Sequence, residues 1–221
     1  MNTSGITTIA CDYGGVLAQS IDRTYMCHMA EEAGADQDKF FTSLWKYRHD
    51  YDLGALDAAA YWQMVCEGAG GRWPKESSAQ QELIEVLMHL DTIAWAIVNP
   101  GMLRWLVTLR REGYRRIIIS NMAVETFDML VKDHVLMHYF EDAVVSGRIR
   151  INKPDREIFE EAARRADAEM DQILFIDDLP RNVEGAREAG MHALQFTGTG
   201  DLEKALREQF PDIPRQGLNC H

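Results

Sequence analysis

Ile6-Thr7-Thr8-Ile9-Ala10-Cys11-Asp12-Tyr13-Gly14-Gly15 is a short run of β-branched and apolar residues that stops abruptly at an acid and two glycines. An unbroken apolar run of this kind reads as a buried strand, and the polar, glycine-rich segment after it reads as the loop into which the strand runs. The same order returns beyond residue 98. Asn99 is placed to cap a helix with Pro100 at its first position, Leu103, Leu106, Val107 and Leu109 supply its apolar stripe, and Gly113 ends it. A strand is expected at Arg116 to Ile119, closing on Ser120-Asn121, followed by a helix near Val124 to Lys132 and a strand at Ala143 to Val145. The alternation continues with a helix from Asp155 to Ala166, a strand at Ile173 to Ile176, a helix from Pro180 to Ala189 and a strand at His192 to Phe196. Strand and helix in such alternation predict an α/β fold, a parallel sheet with helices on both faces. A short helix from Asp201 to Phe210 and an irregular tail with Pro211 and Pro214 complete the reading.

The segment from about residue 19 to 97 does not join this rhythm. Its apolar residues, among them Met26, Met29, Phe40, Leu44, Trp62, Val65, Leu83, Val86 and Leu87, recur at helical spacing. Breaks at Gly34 to Asp36, Gly54 to Asp57 and Gly68 to Pro74 divide it into several helices, with Asp36 and Asp57 as caps. The predicted organisation is therefore an α/β core from residues 1–18 and 98–221, with an all-helical insertion at 19–97.

With 221 residues and 46% apolar content, the chain is long enough for one substantial domain carrying a smaller insertion. An excess of 35 acidic over 23 basic side chains gives a formal charge of -12, which argues against nucleic acid and anionic membranes as partners. Cys11, Cys27, Cys66 and Cys220 are scattered without a CxxC pair, so neither a disulfide framework nor a zinc site is indicated, and reduced thiols in a cytoplasmic protein fit. The chain reaches Asp12 before a signal-like apolar run develops, and no stretch approaches the roughly 18 apolar residues of a membrane span. A soluble, unprocessed protein is expected.

Ligands of a parallel sheet bind outside the carboxyl ends of its strands. Three predicted strand ends here carry reactive polar groups: Asp12, Ser120-Asn121 and Asp177-Asp178. Lys153, in Ile151-Asn152-Lys153-Pro154-Asp155, precedes a helix and can reach the same edge. Each alone is commonly a cap, a turn former or a solvated side chain. Together they supply a carboxylate nucleophile, a hydroxyl, an ammonium and an acid pair able to hold a hard cation, which is the equipment of phosphoryl transfer.

Asp12-Tyr13-Gly14-Gly15-Val16-Leu17, Ile118-Ile119-Ser120-Asn121, Lys153-Pro154-Asp155 and Phe175-Ile176-Asp177-Asp178-Leu179-Pro180-Arg181-Asn182-Val183-Glu184-Gly185-Ala186 resemble, in order and spacing, the motifs of haloacid dehalogenase-like hydrolases. The resemblance implies a Rossmann-like core, and it implies that the helical insertion is the family's first type of cap. It further implies Asp12 as nucleophile, Ser120 and Asn121 as phosphoryl contacts and Lys153 as the charge-stabilising lysine. The carbonyl of Gly14 and the carboxylates of Asp12 and Asp178 would then hold Mg²⁺, with Asp177 acting through water and Asn182 shaping the loop. A Mg²⁺-dependent phosphatase of a small phosphorylated metabolite is the activity so implied.

In one position the chain departs from the pattern. Phosphatases of the family usually carry DxDG, with the second acid as proton donor and acceptor, whereas here Gly14 stands in that place. The departure predicts that aryl and acyl phosphates turn over faster than alkyl phosphates, and that Gly14→Asp restores a donor unless residue 14 needs positive φ; the competing expectation is that a residue of the insertion such as His49 or Asp50 supplies the proton. It also leaves open a 2-haloacid dehalogenase and a catalytically weakened phosphate-ligand-binding protein, although the Asp177-Asp178 pair favours phosphate. Elsewhere, Arg48, His49, Asp50 and Tyr51 read as a solvated helix end rather than as substrate contacts. Trp45, Trp62 and Met64 read as core, and Cys11 as a buried, inert thiol.

Overall fold

In a computed structural model, which describes residues 4–19, 21, 23–133 and 135–218, the chain forms a five-stranded parallel sheet with an inserted set of four helices. Strand β1 (Thr8–Cys11) leads into α1 (Arg23–Glu32), α2 (Gln37–Asp52), α3 (Ala58–Gly68) and α4 (Ser77–Ala94). The chain then returns through α5 (Pro100–Arg111), β2 (Arg115–Ser120), α6 (Val124–Asp133), β3 (Asp142–Val145) and α7 (Ser146–Ile149). It ends with α8 (Arg156–Ala166), β4 (Ile173–Asp177), α9 (Pro180–Ala189), β5 (His192–Gln195) and α10 (Thr199–Gln209). Strand order is β3-β2-β1-β4-β5, so the sheet grows to one side of β1 and then switches to the other. A crevice opens at the carboxyl end of β1, where such a switch occurs.

The strands are buried on both faces, and alternate residues serve opposite layers. Ile9, Cys11 and Ile118 pack with Trp105 and Leu106 of α5, Phe127 and Leu130 of α6 and Leu202 and Leu206 of α10. Ala10, Ile117 and Ile119 face Ile158 and Phe159 of α8 and Val183 and Ala186 of α9. Phe159 meets Phe175 edge to face, with centroids 5.6 Å apart, and truncating so buried a ring to alanine costs ~3–5 kcal/mol.

Local signals set the helix ends as expected. The Asn99 side chain accepts from the N–H groups of Gly101 and Met102, Asp36 from Lys39 and Asp57 from Ala60. Gly113, at φ 83°, turns the chain out of α5. The last strand stops at Gln195, one residue short of Phe196, and the last helix starts at Thr199 rather than Asp201. The single-turn α7 is too short to give a periodic signal.

The inserted helices have their own core of Met26, Met29, Phe40, Leu44, Trp62, Val65 and Leu87. Trp62 is fully buried as expected, but Trp45 is 40% and Met64 36% exposed, which corrects their assignment to the core. The two connecting segments run side by side: Gln19 N donates to Ile97 O at 2.8 Å, Asn99 N donates to Leu17 O at 2.7 Å, and Ala18 bridges Val98. The end of α2 sits on the sheet's loops, with Ser146 Oγ donating to Asp52 O at 2.6 Å and Asn152 Nδ2 to His49 O at 3.4 Å. Cys11, Cys27 and Cys66 are free thiols, and Cys220 lies outside the described residues. Among the described residues no helix is long and apolar enough to cross a membrane.

Candidate active site

Asp12 follows β1 at the middle of the sheet, Ser120 ends β2, Asp177 ends β4, and the loop before α8 carries Lys153. All four are buried, and the ammonium of Lys153 joins the two acids. Its Nζ lies 2.9 Å from Asp12 Oδ1 and 2.7 Å from Asp177 Oδ2, and it donates to the carbonyl of Ile119 at 2.9 Å. Burial alone would lower the lysine's pKa, but Asp12 and Asp177 outweigh it and the net shift is upward. Lys153 is therefore a fixed cation.

Asp12 Oδ1 also accepts from the N–H of Tyr13, at 2.6 Å. Both donors fall on Oδ1, which leaves Oδ2 uncommitted among the described residues. Burial pushes Asp12 up to about 7, with Lys153 pulling down and Asp177 adding to the rise. Cys11, one residue earlier, is driven well above its ordinary range by burial and by Asp12, so it is inert as expected.

Asp177 is saturated. Oδ1 accepts from Leu179 N and Asn182 Nδ2, at 2.8 and 3.0 Å, while Oδ2 accepts from Lys153 and again from Asn182 at 3.1 Å. Asn182 thus acts through Asp177. Asp178, which lines the cavity, is only half-buried and is raised by desolvation and by Asp177. Asp12, Asp177 and Asp178 each present an oxygen within 4.8 Å of the others. Gly15 makes the approach of Asp178 possible, since it has φ +75° and a Cβ there would lie 2.5 Å from Asp178 Oδ2.

Asn121 takes a part that the sequence did not suggest. Its side chain accepts from Lys153 N at 2.7 Å and donates to Lys153 O at 3.1 Å, so it holds the lysine's backbone. Ser120 and Asn121 both border a cavity of about 590 Å³ that is also lined by Asp12, Gly14, Lys153, Asp178 and Asn182. Every candidate site residue except Asp177 lies on this cavity, and Asp177 is bonded to two that do, Lys153 and Asn182.

Sequence reasoning missed the far wall, which is formed by Ile21, Trp45, Arg48, His49, Asp52 and Trp95 from the inserted segment. Of the four residues read as a solvated helix end, His49 and Asp50 are exposed while Arg48 and Tyr51 are buried, so that reading is corrected for half of them. Arg48 Nε meets Asp52 Oδ1 at 2.9 Å, and its Nη1 meets both oxygens of Asp91 at 2.9 and 3.1 Å. One guanidinium shared by two carboxylates cannot neutralise both, and burial pushes Asp52 up to about 6 despite Arg48. An arginine with an acid four residues later was the available signal, but it also fits an ordinary surface pair. Trp95, just beyond α4, packs on Gly14, where a Cβ would meet its Cζ3 at 3.0 Å.

Fold and site together define a Rossmann-like hydrolase with acids and a lysine gathered at the carboxyl edge of its sheet. The chain belongs to the haloacid dehalogenase-like hydrolase family, whose sequence profile matches residues 6–190. It is 31% identical over 142 residues to a glyceraldehyde 3-phosphate phosphatase of Methanopyrus kandleri, covering 61% of this chain and 60% of that one. It is 30% identical over 156 residues to a phosphoglycolate phosphatase of Rhodospirillum rubrum, covering 63% and 65%. The similarity thus spans less than two thirds of these relatives. In fold it is similar to a wild-type family enzyme of Bacteroides thetaiotaomicron in complex with magnesium and inorganic phosphate, with TM-score 0.65, 22% identity and coverage of 86% and 93%. It is likewise similar to the L-2-haloacid dehalogenase of Xanthobacter autotrophicus, with TM-score 0.63, 16% identity and coverage of 95% and 84%.

Proposed function

We propose that this hydrolase is a Mg²⁺-dependent phosphomonoesterase acting on a small phosphorylated metabolite through a phosphoryl intermediate on Asp12. The observation that carries the reading is the division of labour on that carboxylate. Oδ1 is pinned by Lys153 and Tyr13, while Oδ2 is left for phosphorus. Residues 1–18 and 98–221 are read as the catalytic core, and 19–97 as a cap that closes over the substrate. The names of the phosphatase relatives support the substrate class.

The acids fit a divalent cation. Three carboxylates offer oxygens within 4.8 Å, a hard donor set suited to Mg²⁺, with Lys153 the only buried cation among them. Asp12, Asp178 and the carbonyl of Gly14 would hold it, and Asp177, already saturated, would act through water. When bound, it supplies charge neutralisation to the phosphoryl group. In the reaction, Asp12 Oδ2 attacks phosphorus, the ester P–O bond breaks, and its electron pair leaves with the alcohol oxygen. Water then attacks the aspartyl-phosphate, the P–O bond to Asp12 breaks and regenerates the carboxylate, and the proton that the water gives up to solvent balances the one the alcohol oxide takes from it. Lys153 bears on the charge developing on the transferred group, and Ser120 offers it a hydroxyl.

A set of phosphorylated metabolites incubated with the full chain and Mg²⁺ tests this. Phosphate release that disappears in Asp12→Asn, in preparations free of contaminating phosphatase, is expected. Release retained in Asp12→Asn would refute the role of Asp12. Halide release from 2-haloacids without metal would favour the dehalogenase reading instead.

A further inference from the structure

Building on the phosphatase reading, we infer that the outer part of the cavity is a leaving-group pocket walled by the indoles of Trp95 and Trp45, which selects phosphomonoesters of planar aromatic alcohols. The phosphate end is held by Asp12, Ser120 and Lys153, so the rest of the substrate meets the remaining lining of the cavity, to which both rings belong.

Trp95 is held beside the reacting centre. Its carbonyl accepts from Tyr13 Oη at 2.7 Å, and the Arg48 guanidinium lies 5.9 Å from its ring centroid. Its six-membered ring covers residue 14: a Cβ there would meet Cζ3, Cη2 and Cε3 at 3.0, 3.5 and 3.6 Å. The indole therefore takes the space of a side chain two residues after the nucleophile. Trp45 and Leu179 line the cavity and remain 40% and 39% exposed, so their apolar surface is open to a bound molecule. A cavity of about 590 Å³ suits a small molecule, and aromatic walls favour a flat partner.

A second anion on the substrate finds little to meet. Lys153 is shared between Asp12 and Asp177, and Arg48 between Asp52 and Asp91. Only Arg181, exposed at the rim, lines the cavity with no ion pair among the described residues. The chemistry points the same way. Without a carboxylate at residue 14, the site best releases leaving groups that depart without a proton, and aryl oxides are such groups.

The test separates wall contacts from leaving-group acidity. With the full chain and Mg²⁺, kcat/KM is compared for 2-naphthylmethyl phosphate and cyclohexylmethyl phosphate, both esters of primary alcohols, and for phosphoglycolate. The naphthyl ester is expected to lead its cyclohexyl counterpart by roughly three- to tenfold, the size of an aromatic contact. Trp45→Leu and Trp95→Leu should each bring that ratio toward one. Trp45 is partly exposed, so its variant is informative even where Trp95→Leu folds poorly. A ratio unchanged in Trp45→Leu and in folded Trp95→Leu, or phosphoglycolate as the best substrate, would overturn the inference. Calorimetric binding of 2-naphthylmethylphosphonate against cyclohexylmethylphosphonate needs no turnover. Selective binding without phosphate release from any ester would uphold the walls and sink the phosphatase reading, and equal binding of the two phosphonates would sink the walls.

Discussion

Asn121 and Lys153 hold each other reciprocally, the lysine N–H donating to Asn121 Oδ1 at 2.7 Å and Asn121 Nδ2 returning a bond to the lysine carbonyl at 3.1 Å. The ammonium that touches Asp12 is thus placed by its own backbone. Asn121→Ala should lower kcat by roughly 10²-fold, the scale of an ångström misplacement, with a smaller change in KM. Steady-state kinetics check this, and a variant whose loss lies wholly in KM would instead make Asn121 a direct substrate contact.

Asp177 and Asp178 are neighbours with different work. Asp177 is buried and accepts from Lys153, Leu179 N and Asn182, so Asp177→Ala should cost ~1–3 kcal/mol in urea unfolding through the donors it leaves unpaired, while Asp12 still pairs the lysine. Asp178 is half-buried and has no such partner, so Asp178→Ala should fold nearly as the parent while needing far more Mg²⁺. Metal titrations of activity compare the two. Equal unfolding losses would contradict the assignment, and full activity after chelation would remove the metal role.

The Trp95 ring changes what is expected of Gly14→Asp. The position has no positive φ, so the backbone would tolerate a side chain, but the indole occupies its place. Alone, the substitution should destabilise by ~1–3 kcal/mol through overpacking and leave the dependence on leaving-group acidity steep. Combined with Trp95→Ala, which loses packing of its own, it should cost less than the sum of the two single changes and flatten that dependence. A single variant that already flattens the slope at parental stability would show that the ring yields easily.

Asp52 makes stability depend on pH. Its ordinary value is 3.8 and the folded chain raises it to about 6, so between these the folded state holds the proton more tightly than the unfolded state. Stability contributed at this site therefore falls as pH rises from about 4 to about 6, and the penalty is complete above that. Asp52→Asn keeps an acceptor for Arg48 and should flatten this window. Urea unfolding at several pH values measures the difference, and a difference constant from pH 4 to 7 would refute the account.

The core was legible because each strand and helix announces itself locally. The run ending at Asp12, Asn99 with Pro100, and Gly113 each act within a few residues of themselves, and the alternation then leaves one kind of sheet. The acids and Lys153 were legible because strand ends converge in such a sheet. The far wall was not, since Arg48 finds Asp91 only when α2 and α4 pack, and Trp95 reaches Gly14 only after the whole insertion has folded back. Asn121 was half legible: its place near the centre followed from β2, but its hold on Lys153 needed the loop before α8.

The paired segments at residues 17–19 and 97–99 have a consequence for descent. The chain leaves the sheet and re-enters it through one hydrogen-bonded gate, so whatever lies between hangs from the core as a side branch. Lengthening or exchanging that branch would leave the strand register untouched, and loop closure adds only about 0.6 kcal/mol per doubling of length. Selection could then rebuild the cavity wall that the insertion supplies while Asp12, Lys153 and the strands beneath them stayed as they were.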